Sequence, residues 1–417
     1  MFILLEIVLE VLVKLDDRTH ISRGKMHINM IRKKKFLIIV LAPLVYFLAD
    51  FTGLISMLCE INYFTEFKYP IEGDITKYVE SMERGKIPNV DGFNNHFIHF
   101  VIKNKGKCVK DDNSDNASLQ INVVYLVRSS IVNIDNRNAI RDTWGNEKQF
   151  SNVEIRTVFL LGSSNEPTKM NVQNLIEHEN EEFHDIIQGD FADTYYSSTN
   201  KTLMGMRWAV EFCSSSQYYL FVDDDYYVSA RNLIIFLRNP FKYPTNLKDK
   251  HINIDIANYS GRGNSDDNLS FSQATVISHQ DVKFHLPHDV ILYAGFVFPS
   301  SNPHRHKISK WYISLEEYPY SRYPPYVTGG ARLFSNKALK LFYYATHFVK
   351  LFKFDDVYLG IVAKKLNITP FHSDEFWFCR KLPYNENDFR YTIASHGFND
   401  ATEMKMVWNH QKQAGNA

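Results

Sequence analysis

The amino-acid sequence predicts an α/β protein built on a parallel, Rossmann-like sheet. Three observations carry that expectation. Apolar runs of strand length recur at Leu119–Arg128, Ile155–Gly162 and Tyr218–Val222, the pattern of strands buried on both faces. Helical stretches alternate with them, as in βαβ units. The third run ends in three carboxylates, Asp223, Asp224 and Asp225. Ligands of open α/β sheets bind beyond the carboxyl ends of the strands, so the triplet stands where a ligand would. Hard divalent cations take carboxylate oxygen there, commonly together with a substrate's phosphates. A solvated acidic turn has the same composition. The apolar strand before the triplet and Tyr226-Tyr227 after it weigh against that reading.

The 417 residues are 45% hydrophobic and 23% charged, enough for one large domain with additions or for two domains. Lys plus Arg (47) balances Asp plus Glu (47), so no bulk basic field points to nucleic acid. The aromatic content of 14% supplies rings for sugar stacking, although most rings of this kind are core. Cys59, Cys108, Cys213 and Cys379 lack C-x-x-C spacing, which argues against zinc. They allow at most two disulfides of unreadable pairing, and the fold is read as not depending on them.

Met1–Leu15 is mostly apolar, and a basic stretch from Arg18 to Lys35 follows it. Phe36–Ala49 then carries no charge, and extension through Leu58 gives the roughly 20 residues that a membrane span needs. Asp50 falls toward the far end, where a charge costs less. The positive flank places the N-terminus in the cytoplasm and the large C-terminal part in the lumen. No A-x-A-like cleavage site follows Ala49, which favours an uncleaved signal-anchor over a signal peptide. The expected order is a cytoplasmic tail at 1–35, an anchor at 36–58 and a stem at 59–118, with Met30 an alternative start. Sequons at Asn116, Asn200, Asn258, Asn268 and Asn367 fit a glycosylated lumenal domain.

Within residues 119–410, Arg137 and Arg141 share one face of a predicted helix at i, i+4. That spacing serves phosphate or plain surface charge. Asp190 lies in an acidic loop after a short strand, and Asn200–Cys213 reads as an amphipathic helix leading to the triplet. Residues 241–290 are polar and aperiodic, an insertion without assigned chemistry. Beyond strand Leu292–Phe298 comes Tyr323-Pro-Pro-Tyr-Val-Thr-Gly-Gly330. Two prolines stiffen it, and Gly329-Gly330 lets backbone approach a ligand closely or makes a turn. Trp311, Glu316, Glu317 and Tyr326 have the chemistry to grip a sugar, or Trp311 is core. Asp355-Asp356 opens an apolar helix, where aspartate is an ordinary cap. His396 ends a late strand, and residues 411–417 form a C-terminal tail.

Several of these phrases together resemble one family. The triplet looks like the DxD motif of nucleotide-sugar glycosyltransferases of the GT-A fold. Phe221-Val-Asp-Asp-Asp-Tyr-Tyr-Val-Ser-Ala230 resembles β-1,3-glycosyltransferases, closest to the brainiac-type β-1,3-N-acetylglucosaminyltransferases. Similar too are Arg137-x-x-Ile-Arg-x-Thr-Trp144, Asp190-Phe-x-Asp-x-Tyr195, Pro303–Pro319, Tyr323–Gly330, Asp355-Asp-Val357 and Glu403-Met-x-x-x-Trp408. The resemblance implies a GT-A-like fold with a Rossmann-like nucleotide-sugar half, behind one transmembrane helix and a stem. It implies Mn2+ on Asp225 and His396, and a UDP-sugar donor on Arg137, Arg141, Asp190, Asp223 and Asp224. It also implies a glycolipid or glycan acceptor on Trp311, Glu316, Glu317, Tyr326, Gly329 and Gly330. Asp356 is then the catalytic base, with Asp355 where the family has Glu. The implied reaction is inverting transfer of N-acetylglucosamine from UDP to the 3-hydroxyl of a β-mannose in glycosphingolipid biosynthesis, in the Golgi membrane. Rival readings are a β-1,3-galactosyltransferase, a metal-dependent phosphohydrolase using Asp223 and Asp225, and an inactive sugar-binding protein. Nothing in the sequence sets an oligomeric state.

Overall fold

The computed structural model describes residues 39–417 apart from 40, 69–73, 95–97, 110–120, 151–152, 165–168, 195–196, 246–285, 288, 380 and 385. The chain divides into two units. The larger comprises Lys68–Ser301 and Pro324–Ala417, the smaller Met1–Phe67 and Asn302–Tyr323.

The larger unit is a mixed sheet covered by helices. Its strands are β1 (Phe100–Ile102), β2 (Ile121–Arg128), β3 (Glu154–Ser163), β4 (Ile186–Ala192), β5 (Tyr218–Asp223), β7 (Tyr293–Phe298), β8 (Tyr326–Ser335) and β9 (Phe371–His372), and β6 (Tyr226–Val228) lies outside it. Their spatial order is β1-β4-β3-β2-β5-β8-β7-β9. The central strands β4, β3, β2 and β5 are parallel. Val123 to Val127 are all fully buried, which is why β2 reads as a continuous apolar run rather than an alternating one. From β2 the chain builds outward to β3 and β4, then returns to add β5 on the other side of β2. That reversal makes a topological switch point between β2 and β5, where Arg128 and Asp223 are register partners. The antiparallel strand β8 extends the sheet beyond β5. A second sheet orders β10 (Phe376–Trp377), β11 (Ala394–His396) and β6.

Helices α1 (Thr76–Glu83), α2 (Ile134–Asp142), α3 (Lys169–Phe183), α4 (Ser198–Phe212), α5 (Ala230–Arg238), α6 (Asn336–Ala345), α7 (Asp355–Lys365) and α8 (Ala401–Gln413) complete the unit. Three start on side-chain caps that satisfy end N–H groups: Ser229 for α5, Ser335 for α6 and Asp400 for α8.

Part of the stretch read as stem is built into this fold. β1 pairs antiparallel with β4, Val79 of α1 is buried, and Lys337 of α6 pairs with Glu83 at 2.7 Å. Cys108 forms a disulfide with Cys213 at the end of α4, a pairing the sequence left unreadable. The sequence hid this because a three-residue edge strand and one short helix carry too little periodicity to register. Most of the 241–290 insertion lies outside the described residues.

In the smaller unit a helix over 41–51 breaks at Thr52-Gly53. Gly53 takes φ 83°, and a Cβ there would overlap the Arg305 backbone. Arg305 is fully buried. Its five N–H groups reach Glu60 Oε1 (2.7 Å) and the carbonyls of Ile313 (2.9 Å), Ser314 (3.0 Å), Tyr318 (2.7 Å) and Tyr320 (3.1 Å). Among the described residues no helix is long and apolar enough to cross a membrane. The anchor predicted at 36–58 lies partly outside them.

Candidate active site

One buried arginine gathers the carboxyl end of the sheet. Arg128 closes β2; its Nη2 is 2.6 Å from Asp223 Oδ1 at the end of β5 and also donates to the Gly329 carbonyl on β8. Its Nη1 is 2.5 Å from Asp355 Oδ2 at the start of α7. That oxygen also accepts from Arg332 of β8 and, at 2.9 Å, from Thr202 Oγ1 of α4. Burial alone would raise the Asp355 pKa, but the two guanidiniums overcome it and hold the carboxyl below the ordinary range. Asp356 moves the other way, raised by burial and then by the Asp355 charge. Its Oδ1 accepts the Val357 N–H at 2.7 Å. Gly329 lies against it: a Cβ there would stand 3.8 Å from Asp356 Oδ2. Asp223 is pushed up to about 7, chiefly by burial.

The three aspartates of the triplet diverge. Asp224 turns inward, its carboxylate accepting from Ser129 Oγ (2.6 Å) and Asn133 Nδ2 (3.0 Å). Asp225 Oδ2 is 3.1 Å from His396 Nε2. The two meet because β11 runs antiparallel to β6 with His396 opposite Tyr226, and because Gly397 and Phe398 donate N–H to the Asp225 carbonyl at 3.1 and 2.8 Å. Tyr226 packs beside the imidazole, ring centroids 5.2 Å apart, and a Cβ on Gly330 would overlap its phenol.

Asp225 Oδ1 is buried without a hydrogen-bond partner among the described residues. Such an oxygen is costly unless something supplies positive charge. A carboxylate and an imidazole with that oxygen to spare suit Mn2+. No group of three or more metal-binding side chains occurs among the described residues, so further ligands would have to come from substrate or water, as is common for ions that arrive with phosphates.

The sequence pattern of the family described as Galactosyltransferase matches residues 135–259 and 256–374. The chain belongs to the galactosyltransferase family. It is 38% identical over 386 residues to Beta-1,3-galactosyltransferase brn of Drosophila melanogaster, covering 93% of this chain and 98% of that protein. It is 31% identical over 318 residues to Beta-1,3-galactosyltransferase 1 of Homo sapiens, covering 76% and 79%. This family member is therefore a hexosyltransferase, and its parallel-rich mixed sheet is consistent with a GT-A-like architecture. The two matched stretches meet at 256–259, inside the polar insertion.

The candidate site gathers Asp223, Asp355, Asp356 and Gly329 around Arg128, and pairs Asp225 with His396. Other predicted residues are engaged elsewhere. Arg137 is fully buried, with Nε and Nη2 on the two oxygens of Glu179 at 2.7 and 2.6 Å. Arg141 reaches Asp185 (2.8 Å) and Glu179 (2.7 Å). Both pin α2 to α3 rather than present a cation to a donor. Arg137 acts on the triplet only at one remove, through Ser129 Oγ at 3.2 Å. Asp190 is exposed on β4, its N–H bonded to the His99 carbonyl at 2.8 Å. Asp193 instead pairs with Lys201 (2.6 Å) and accepts from the N–H groups of Ile131 and Gly162.

Tyr326 opens β8 and is buried. Gly330, like Gly329, lies within that strand and not in a turn. Trp311, Glu316 and Glu317 belong to the smaller unit. There Trp311 is exposed, so it is not core, and Glu317 accepts from Ser314 Oγ at 3.0 Å. Asn367 is exposed just past α7, whereas Asn200 is half-buried on α4 with the Thr202 of its sequon committed to Asp355. Asn116, Asn258 and Asn268 lie outside the described residues. Sequence reasoning passed over Arg128, Arg332, Thr202, Lys201 and Asp193. Arg128 had a signal: like the triplet, it is a charge ending an apolar strand.

Proposed function

We propose that this hexosyltransferase transfers a sugar from its UDP donor to a glycan hydroxyl with inversion, and that Asp356 is the base. The supporting observation is the position of Asp356: a half-buried carboxyl of raised pKa, at the first turn of α7, against Gly329 and beside the Arg128 hub at the switch point. The acceptor oxygen bonds to the anomeric carbon as the bond to UDP breaks. The electron pair leaves with UDP, and the acceptor's proton passes to Asp356. Asp225 and His396 would hold Mn2+, and an ion there neutralises diphosphate charge and stabilises the leaving group as a Lewis acid. Asp355, fixed by two arginines and Thr202, keeps its charge and so sustains the raised pKa of its neighbour.

The donor we favour is UDP-N-acetylglucosamine and the acceptor the 3-hydroxyl of a β-mannose on a glycolipid, on the motif resemblance. The two relatives are named as galactosyltransferases, which favours UDP-galactose as the second reading. Membrane anchorage in the Golgi, with the catalytic part lumenal, belongs to the same proposal. It is supported by the helix over 41–51, whose residues 43–48 are all exposed although mostly apolar. A helix apolar all round is one that lipid or protein covers.

The test is full-length protein with Mn2+, each UDP-sugar and a β-mannoside, beside Asp356→Asn and a control without acceptor. Acceptor-dependent UDP release that the variant lacks supports the reading, and the more active donor sets the sugar. Release that needs no acceptor and survives the substitution would point to hydrolysis and remove the base assignment.

A further inference from the structure

A row of aromatic rings leads away from Asp356 along the sheet, and the reaction as described does not use it. Gly360 lies one turn beyond Asp356 on the same face of α7, and a Cβ there would come 2.5 Å from Tyr326 Cβ. Tyr326 therefore underlies the turn of α7 that follows Asp356. Burial, and then the Asp356 charge, push its phenol up to about 12. Phe298 of β7 stands in register with Tyr326, ring centroids 5.5 Å apart. Phe296, two residues back along β7, is 5.7 Å from Phe298. Phe378, just past β10, closes the row at 4.3 Å from Phe296 and 5.0 Å from Phe298.

These are ordinary packing distances for rings, but the rings are not fully enclosed. Tyr326 is buried, while Phe296, Phe298 and Phe378 each stay partly open to solvent. Phe296 also packs against the main core, which leaves Phe298 and Phe378 as the outer pair. On the transferase reading the hexose being extended brings its attacking hydroxyl to Asp356, whose charge acts on Tyr326 at the near end of the row. Whatever is joined to that hexose then reaches the next ring along. A flat apolar aromatic surface suits the C–H face of a pyranose or an alkyl chain.

We infer that Phe298 and Phe378 form a stacking platform for the second unit of the acceptor, the group glycosidically attached to the hexose being extended. This rests on the transferase reading with Asp356 as base. Its content is that acceptor length, and not only the terminal sugar, sets affinity.

The experiment uses the full-length enzyme with its preferred UDP-sugar and three acceptors: methyl β-mannoside, methyl β-mannobioside and octyl β-mannoside. Wild type is expected to favour a longer acceptor over methyl β-mannoside in kcat/KM on the order of tenfold, carried by KM, the scale of about 1.4 kcal/mol. Preference for the mannobioside identifies a sugar, and for the octyl compound a lipid chain, as the natural second unit. Phe298→Ala and Phe378→Ala should bring that ratio close to one, and Phe378→Tyr should restore it. A ratio that survives both alanine variants, or a wild type indifferent to acceptor length, overturns the platform. An equal fall for all three acceptors marks the rings as structural and overturns it too. No transfer by wild type to any acceptor with either UDP-sugar removes the transferase reading and the platform with it.

Discussion

Asp356 has a raised pKa for reasons with consequences in opposite directions for activity and stability. As the proposed base Asp356 acts when ionised, so transfer should fall as pH drops through a value above the ordinary carboxylate range. Asp356→Asn should cost about 10²- to 10⁴-fold in kcat while leaving UDP-sugar binding in place, as read by isothermal titration. For stability, the native state binds the Asp356 proton more tightly than the unfolded chain does. Stability is therefore lost as pH rises from the ordinary carboxylate value through the raised one. The Asn variant should melt higher than wild type at neutral pH, and the gap should close at acid pH, where Asp356 is protonated in both states. Arg128 shows the converse. Arg128→Met leaves Asp355 short of one of its two buried cations and removes the side-chain ties from β2 to Asp223 of β5 and Gly329 of β8. Breaking a buried pair from one side costs about 3–5 kcal/mol, which denaturant unfolding would show alongside loss of transfer. A side chain with one donor group cannot replace the guanidinium fork, so lysine should not rescue it.

At the scale of elements, two pairings far apart in sequence build the site. β11 against β6 brings His396 to Asp225, and α7 against β8 brings Asp356 to Gly329. The hydrophobic runs that marked these strands and helices were legible, because period and length are local properties. The same locality explains what was not legible. The i, i+4 spacing of Arg137 and Arg141 placed both on one helix face correctly, but whether that face meets solvent or α3 is decided by packing, and it meets Glu179 and Asp185. The disulfide is a further element-scale constraint, tying the segment after β1 to α4 across a sequence separation of 105 residues. Replacing Cys108 and Cys213 together by Ala should lower unfolding free energy by about 2–5 kcal/mol, measured by chemical denaturation. An unchanged midpoint would mean that β1–β4 pairing and the hydrogen bonds of Lys103, Asn104 and Lys107 suffice to hold this edge.

At the scale of the whole molecule, the anchor proposal makes its own prediction. Full-length protein should stay with membranes after alkaline carbonate washing. Leu44→Arg with Phe47→Arg should release it, since a charge in a span's centre costs about 2.5–3.5 kcal/mol per residue. From the residues alone one could read an α/β chain with a carboxylate-tipped strand, the motif order of a β-1,3-glycosyltransferase, and the aspartate and histidine placed at its chemistry. All of that rests on short stretches in which neighbours along the chain are neighbours in space. Folding in three dimensions decided which carboxylates of the triplet meet Arg128 and His396 and which turns inward, and that Arg128 holds the ends of β2 and β5 to the start of α7. It also decided that part of the presumed stem belongs to the sheet. Burial and charge pairing between distant segments set these outcomes, and neither is a property of any one stretch of sequence.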